Sequence, residues 1–307
     1  MSRRRKGNPI HGWLVLDKPL GMTSTRAVGI VKHLFAAQKA GHAGTLDPLA
    51  TGVLPIALGE ATKTVSFAVE GAKAYRFSVR WGEERTTDDA EGEVGATSTA
   101  RPKEAEITAV LARFIGEVMQ VPPRFSAIKI GGSRAYDLAR DGLSVELAPR
   151  PVVIDALRLV ELSDADTAIF EARCGKGAYV RALARDMGRA LGCCGHVAAL
   201  RRTRVGPFGE EDAVTLVALE AAAGTGGAEA LLAFLQPIER VLAGLPGLSV
   251  SPSDAECLAR GQAVLIRGRD APILSGLVYA VSRGRLIALG EVVQGAIHPT
   301  RVFHSGE

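Results

Sequence analysis

"AGHAGTLDPLATGVLPIALG" occupies residues 40–59 and holds one carboxylate, Asp47, and one imidazole, His42. The remaining residues are glycine, proline, threonine or aliphatic. Pro48 follows the acid directly. Asp-Pro in a glycine-rich stretch is a common turn, because Asp bonds its own backbone and Pro fixes the bend. The same arrangement also suits a single catalytic carboxylate in a dry pocket. The two readings part only when the rest of the chain is considered.

Chemistry narrows the choice. Glycoside hydrolysis ordinarily needs two carboxylates, and this stretch has one. The chain has no G-x-S-x-G, and "GKG" at 175–177 lacks the rest of a P-loop. One acid fits a reaction with no net water and no net proton change, such as isomerisation at a glycosidic bond.

Composition sets the frame. The 307 residues are 47% hydrophobic and 23% charged, which is a globular balance with room for a large domain and a small one. The apolar runs are too short to span a bilayer. The basic start, "MSRRRKGNP", has no apolar run behind it and is expected to be a solvated tail. Cys174, Cys193, Cys194 and Cys257 form no C-x-x-C pair, so free thiols in a cytoplasmic, reducing setting are expected. Cys193, Cys194 and His196 lie close together, but no second ligand cluster accompanies them, and no metal is expected.

The net charge is only +4, yet it is unevenly spread. Residues 1–40 carry eight Lys or Arg against one Asp, and residues 173–208 carry eight against Asp186 alone. Between them lies the acidic "EERTTDDAEGE" of 83–93. Two basic blocks suit an anionic partner read along one face, or ordinary solvated helix faces.

Periodicity predicts strands at 11–19, 74–82, 151–162 and 167–174. In "AYRFSVRWG", Tyr75, Phe77, Val79 and Trp81 share one face, and Arg76, Ser78 and Arg80 the other. Helices are predicted at 23–35, 104–116 and 178–192, the last with a cationic face and a closing glycine. "AAAGTGGAEA" (221–230) reads as a low-complexity turn or insertion. After residue 247 the pattern becomes β-rich, with two strands around an Arg-Gly turn in 276–293.

These segments together resemble the TruB-type tRNA pseudouridine synthase family. "GHAGTLDPLATGVLPIALGEATK" (41–63) is similar to its signature loop. "GWLVLDKPLGMTST" (12–25), "AYRFSVRWGEERTTDDAEG" (74–92), "PPRFSAIKIGGSRAYDLAR" (122–140), "RCGKGAYVRALARDMG" (173–188) and "HVAALRRTRVGPF" (196–208) follow in the family's order. The tail resembles a PUA-type RNA-binding module. The resemblance implies an α+β fold: a catalytic domain on a mixed, largely antiparallel sheet with flanking helices, and a small β-rich barrel. It divides the chain into a basic tail (1–10), a catalytic domain (11–247) and a PUA-like domain (248–307).

The resemblance also implies an activity: conversion of uridine 55 in the tRNA T-loop to pseudouridine. Asp47 matches the catalytic aspartate, acting as nucleophile at ribose C1′ or as the base of a glycal route. Tyr75 matches the tyrosine stacked on the uracil and a candidate acceptor of the C5 proton. Arg181 matches the arginine paired with the aspartate, an arrangement that favours its ionised form. Tyr179 matches a residue lining the base pocket, and Leu200 one whose backbone holds the uracil edge. His42 matches the histidine that fills the gap of the flipped-out base. Lys18 is expected to support the catalytic loop. Asp89 matches an aspartate contacting the displaced RNA, although "RTT" at 85–87 departs from the family's Thr-Asp-Thr. Base flipping needs such a pocket, and phosphates need basic surface.

The implied partner is tRNA, with no membrane, no cofactor and no guide RNA, and a monomeric state is expected. The guide-RNA-dependent branch carries Lys-Val where this chain has Leu49 and Ala50. The alternatives are a non-catalytic RNA-binding or tRNA-folding protein of the same fold, disfavoured by Asp47, Tyr75 and Arg181, and a nucleoside or glycoside hydrolase, disfavoured by the lone acid.

Overall fold

The computed structural model describes residues 7–126, 129, 130, 133, 134, 147–266 and 274–304. Most of the segment 122–140 and residues 1–6 of the basic tail lie outside the described residues.

Alternating apolar residues build a nine-stranded mixed sheet. Its main path runs Gly12–Lys18, Ala50–Leu58, Gly195–Val205, Lys73–Trp81, Thr167–Cys174, Arg150–Leu162 and Gly116–Gln120. Every pairing along that path is antiparallel except the parallel one between Ala50–Leu58 and Gly195–Val205. Tyr75, Phe77, Val79 and Trp81 point into the core, while Arg76 and Arg80 face solvent. The Ala50–Leu58 strand is almost wholly buried because apolar clusters cover both its faces. Its sequence is accordingly a near-continuous apolar run.

The opening stretch therefore resolves into two strands, Ala40–His42 and Ala50–Leu58, joined by a loop at 43–49 that carries Asp47. Two of its glycines, Gly52 and Gly59, sit where a Cβ would meet neighbouring backbone inside the protein. At Gly52 the backbone has φ +97°, and a Cβ would come within 2.3 Å of the Arg202 carbonyl oxygen on the parallel neighbour. Gly52→Ala is expected to cost about 3 kcal/mol through combined strain and clash. Chemical denaturation measures this, and an unchanged midpoint would show that the neighbouring strand can yield.

The helix predicted at 23–35 spans Ser24–Leu34, capped by the Thr23 hydroxyl, which accepts from the Arg26 N–H. Two expectations need correction. The helix expected over 104–116 stops at Leu111 and continues as a short 3-10 turn. Gly116, at φ +94°, then opens the edge strand Gly116–Gln120, which the helical apolar spacing had concealed. The segment 221–230 lies within a helix, Leu216–Leu232, that kinks at Gly227. Its alanines are the strongest helix formers, and they outweigh the glycines.

A five-stranded sheet follows, from Gly247–Ser249 to Ala296–Val302. The expected Arg-Gly turn is present, with Arg283 and Gly284 both at positive φ between Gly276–Ser282 and Arg285–Val293. This sheet is joined firmly to the larger one. Leu286, Leu289 and Phe303 share a buried cluster with Trp13, Val15 and Phe208. Lys63 donates to the Val302 carbonyl at 2.7 Å, and the His304 N–H donates to Glu60 at 2.9 Å.

Much of the basic block at 173–208 is paired with acids, while Arg173, Lys176, Arg189 and Arg204 remain exposed. Arg181, Arg185 and Arg189 lie on one face of the Val180–Ala190 helix, at i, i+4 and i+8. They meet Asp89, Asp88 and Glu84 of the acidic segment. Arg201 pairs with Asp17 and Glu210, and Arg204 with Glu211. The acidic and basic stretches neutralise each other across the fold. Burial pushes the Asp88 carboxyl up to about 6, while Arg185 at 2.9 Å pulls it the other way.

Candidate active site

The 43–49 loop is gripped from three sides. The buried Ser24 hydroxyl donates to the Leu46 carbonyl at 3.0 Å and accepts from the Leu46 N–H at 2.8 Å. Lys18 is 0% exposed, and its ammonium donates to the carbonyls of Pro19, Met22 and Pro48. Burial lowers the Lys18 pKa to about 8, partly opposed by the Asp47 charge. Arg202, 1% exposed, donates to Val53 at 2.8 Å, Gly44 at 3.1 Å and Thr45 at 3.3 Å. With its backbone so held, the loop presents the Asp47 carboxylate, 38% exposed, at the mouth of a pocket of about 260 Å³.

Arg181 reaches that carboxylate from the first turn of the Val180–Ala190 helix. Its Nε lies 3.0 Å from Asp47 Oδ2, an ion pair without an aligned hydrogen bond. The rest of its guanidinium donates to the Thr87 carbonyl at 2.9 Å and the Phe125 carbonyl at 2.8 Å, and lies 3.5 Å from Asp89. Arg181 is 5% exposed, so these contacts fix its orientation largely out of water. The carbonyl bonds orient Arg181, so its charge faces Asp47 without the pair needing a hydrogen bond of its own.

The pocket floor and walls bring together Asp47, Tyr75, Tyr179, Arg181 and Leu200. Among the lining residues Asp47 is the only carboxylate. Tyr75 lies directly across the strand pair from Arg202. Burial raises the pKa of its phenol, against the pull of the Arg202 guanidinium. Tyr179 immediately precedes the helix. Its N–H donates to the buried Gln120 side chain at 2.8 Å, and its carbonyl accepts from the same side chain at 3.1 Å.

Three expected site residues stand outside the lining. Lys18 lies beneath the loop. His42 ends the short strand Ala40–His42, half-buried, with Nδ1 lacking a hydrogen-bond partner. Burial, and then the Arg202 charge, hold its pKa below the usual value, so it is neutral at pH 7. Asp89 is 2% exposed, its carboxylate held by the Thr87 hydroxyl and the Glu91 N–H and turned toward Arg181. It lies behind Arg181.

Of the lining residues not expected at the site, Lys73 and Arg202 are the buried cations. Strand alternation is the signal that finds them. Lys73 lies two residues before Tyr75, and Arg202 two after Leu200, so each shares the pocket face of its strand.

Comparison with known proteins identifies the family. Residues 32–180 match the model of the TruB family pseudouridylate synthase N-terminal domain, and residues 181–243 that of the tRNA pseudouridylate synthase B C-terminal domain. A Bradyrhizobium diazoefficiens protein named tRNA pseudouridine synthase B is 62% identical, over 98% of this chain and 88% of its own. A protein of the same name from Agrobacterium fabrum is 56% identical, over 98% and 97%. A chain from a solved H/ACA ribonucleoprotein bound to a substrate RNA containing 2′-deoxyuridine is 26% identical, with a TM-score of 0.74 over 99% of this chain and 92% of that one.

Proposed function

Because the chain belongs to the TruB family of pseudouridylate synthases and is a tRNA pseudouridine synthase, we propose that its target is uridine 55 of the T-loop and that Asp47 carries the reaction. The observation behind the second part is the Asp47–Arg181 pair: one carboxylate, held by one buried arginine, at the mouth of a pocket with no other lining acid. A hydrolase working with two carboxylates has no second one on that wall.

In this reading the target base leaves its stack and enters between Tyr75 and Tyr179, with the Leu200 backbone along its edge. Asp47 meets the ribose at C1′ or at the 2′ hydrogen. The C1′–N1 bond breaks, the ring turns, and C5 bonds to C1′ in its place. Tyr75 is a candidate to receive the C5 proton. His42, neutral and outside the pocket, fills the space left by the base. Lys18 and Asp89 act through the groups they hold, the 43–49 loop and Arg181. No guide RNA is required, in keeping with Leu49 and Ala50 after Asp-Pro. Residues 248–307 form the second RNA-contacting module. Because Leu286, Leu289 and Phe303 belong to a core shared with the larger sheet, that module is better tested by surface substitutions than by deletion.

The test is tritium release. Purified protein is given an unmodified tRNA transcript labelled at uridine C5, without metal or nucleotide additives, and the modified position is then mapped. Release from one T-loop uridine is expected. Modification elsewhere in the tRNA would displace the proposed target, and no release from a folded transcript would remove the proposed reaction.

A further inference from the structure

Lys73 and Arg202 have no part in the chemistry assigned above, yet both lie in the pocket lining. Both are buried. Lys73 bonds the Val69 and Gly71 carbonyls, and Arg202 the Gly44, Thr45 and Val53 carbonyls, while the Arg202 guanidinium also acts on the Tyr75 hydroxyl. Among the described residues neither forms an ion pair with a carboxylate. A Cβ placed on Gly44 would lie 3.4 Å from Arg202 and 3.9 Å from Lys73, so the two cationic side chains meet beneath the same loop residue. Burial, and for Lys73 the neighbouring Arg202 charge, weaken the hold of both on their protons.

Burying like charges side by side is costly. Both bond backbone carbonyls, and Arg202 helps hold the 43–49 loop, but neutral donors could satisfy those carbonyls without the charge. A resting uracil ring is neutral and needs no cation. The ring acquires charge only during the reaction. When the C1′–N1 bond breaks, the electron pair departs with the ring, and the uracil anion spreads its charge over N1, O2 and O4. This holds if Asp47 attacks C1′, and equally if Asp47 takes the 2′ proton and a C1′=C2′ bond forms. C5 then bonds to C1′, displacing the Asp47 oxygen where Asp47 had attacked, the C5 proton leaves to a base, and N1 takes up a proton. On the glycal route Asp47 also returns its proton to C2′. The product is an isomer on either route.

We propose that Lys73 and Arg202 form an electrostatic cradle for the departing uracil anion, complementary to a charge that exists only between bond breaking and bond making. The inference rests on the reading that the pocket beneath Asp47 encloses the target uracil. It adds a leaving-group role to residues that the Asp47–Arg181 pair leaves unexplained.

The experiment compares two leaving groups. Transcripts carrying uridine or 5-fluorouridine at the target position are given to the wild type, Lys73→Met and Arg202→Lys under single-turnover conditions. Consumption of the N1-linked nucleoside is followed after nuclease digestion. Fluorine stabilises the departing anion, so the fluorinated ring needs less help from the protein. Each variant is expected to lose roughly 10–100-fold in rate on uridine, with a loss on 5-fluorouridine smaller by at least about threefold. The ratio of the two losses is taken within one preparation, so a partly unfolded sample cancels from it. If Arg202→Lys does not fold, Lys73→Met decides the matter. Equal losses on both substrates would overturn the proposal and leave the two residues as supports of the loop. Failure of the wild type to convert uridine would instead overturn the assigned reaction.

Discussion

Replacing Asp47 with asparagine is expected to abolish pseudouridine formation, slowing the single-turnover rate by about 10³-fold or more, equivalent to at least roughly 4 kcal/mol of transition-state stabilisation. The substitution keeps the size and shape of the side chain and removes its charge. The surrounding structure should stay in place. Lys18 and Ser24 hold the 43–49 loop through backbone groups, as does Arg202, and Arg181 keeps Thr87, Phe125 and Asp89 as partners. The affinity for tRNA is expected to stay within about tenfold, because phosphate contacts dominate it. Filter binding and tritium release measure the two quantities on one sample. Retained turnover would refute the role given to Asp47, and loss of binding together with turnover would assign it a structural one.

Arg181→Met is expected to be the most damaging change for stability, costing about 3–5 kcal/mol, and to reduce turnover by at least roughly 10²-fold. The substitution leaves the buried Asp89 carboxylate without its cation and removes the bonds from Arg181 to the Thr87 and Phe125 carbonyls. Adding Asp89→Asn should return part of the stability, on the order of 1–3 kcal/mol, since it removes the stranded charge. Turnover should stay low in the double variant, because Asp47 still lacks its partner. Denaturant titrations of the four proteins form a double-mutant cycle. Strictly additive losses would mean that Arg181 and Asp89 do not communicate, and that Asp89 is held by Thr87 and Glu91 alone.

What was legible in the sequence depended on range. Alternation over residues 73–81 is a local property, and the strand there follows it residue by residue. The helix at 180–190 was equally open to reading from its apolar spacing and the glycine beyond it. Where local signals conflicted, the outcome turned on their relative strength. Alanines carried 216–232 into a helix despite three glycines, and Gly116 ended a helical pattern that its apolar residues would have continued. The arginines were legible as charges but not as surface. The partners of Arg181, Arg185 and Arg189 lie roughly a hundred residues away in an acidic stretch, and no spacing rule connects the two.

The family to which the chain belongs, its α+β class and the candidacy of Asp47, Tyr75 and Arg181 follow from the sequence by itself, because each motif is a contiguous pattern that survives without coordinates. Tertiary structure alone decided that Asp47 has Arg181 within 3.0 Å, that Asp89 backs that arginine, and that Lys18 is sealed under the loop. It also placed Lys73 and Arg202 in the pocket lining. The physical reason is that charge acts through space. A carboxylate in a glycine-rich stretch is a turn or a reactive group depending on which cation the fold brings to it, and how much water it keeps out.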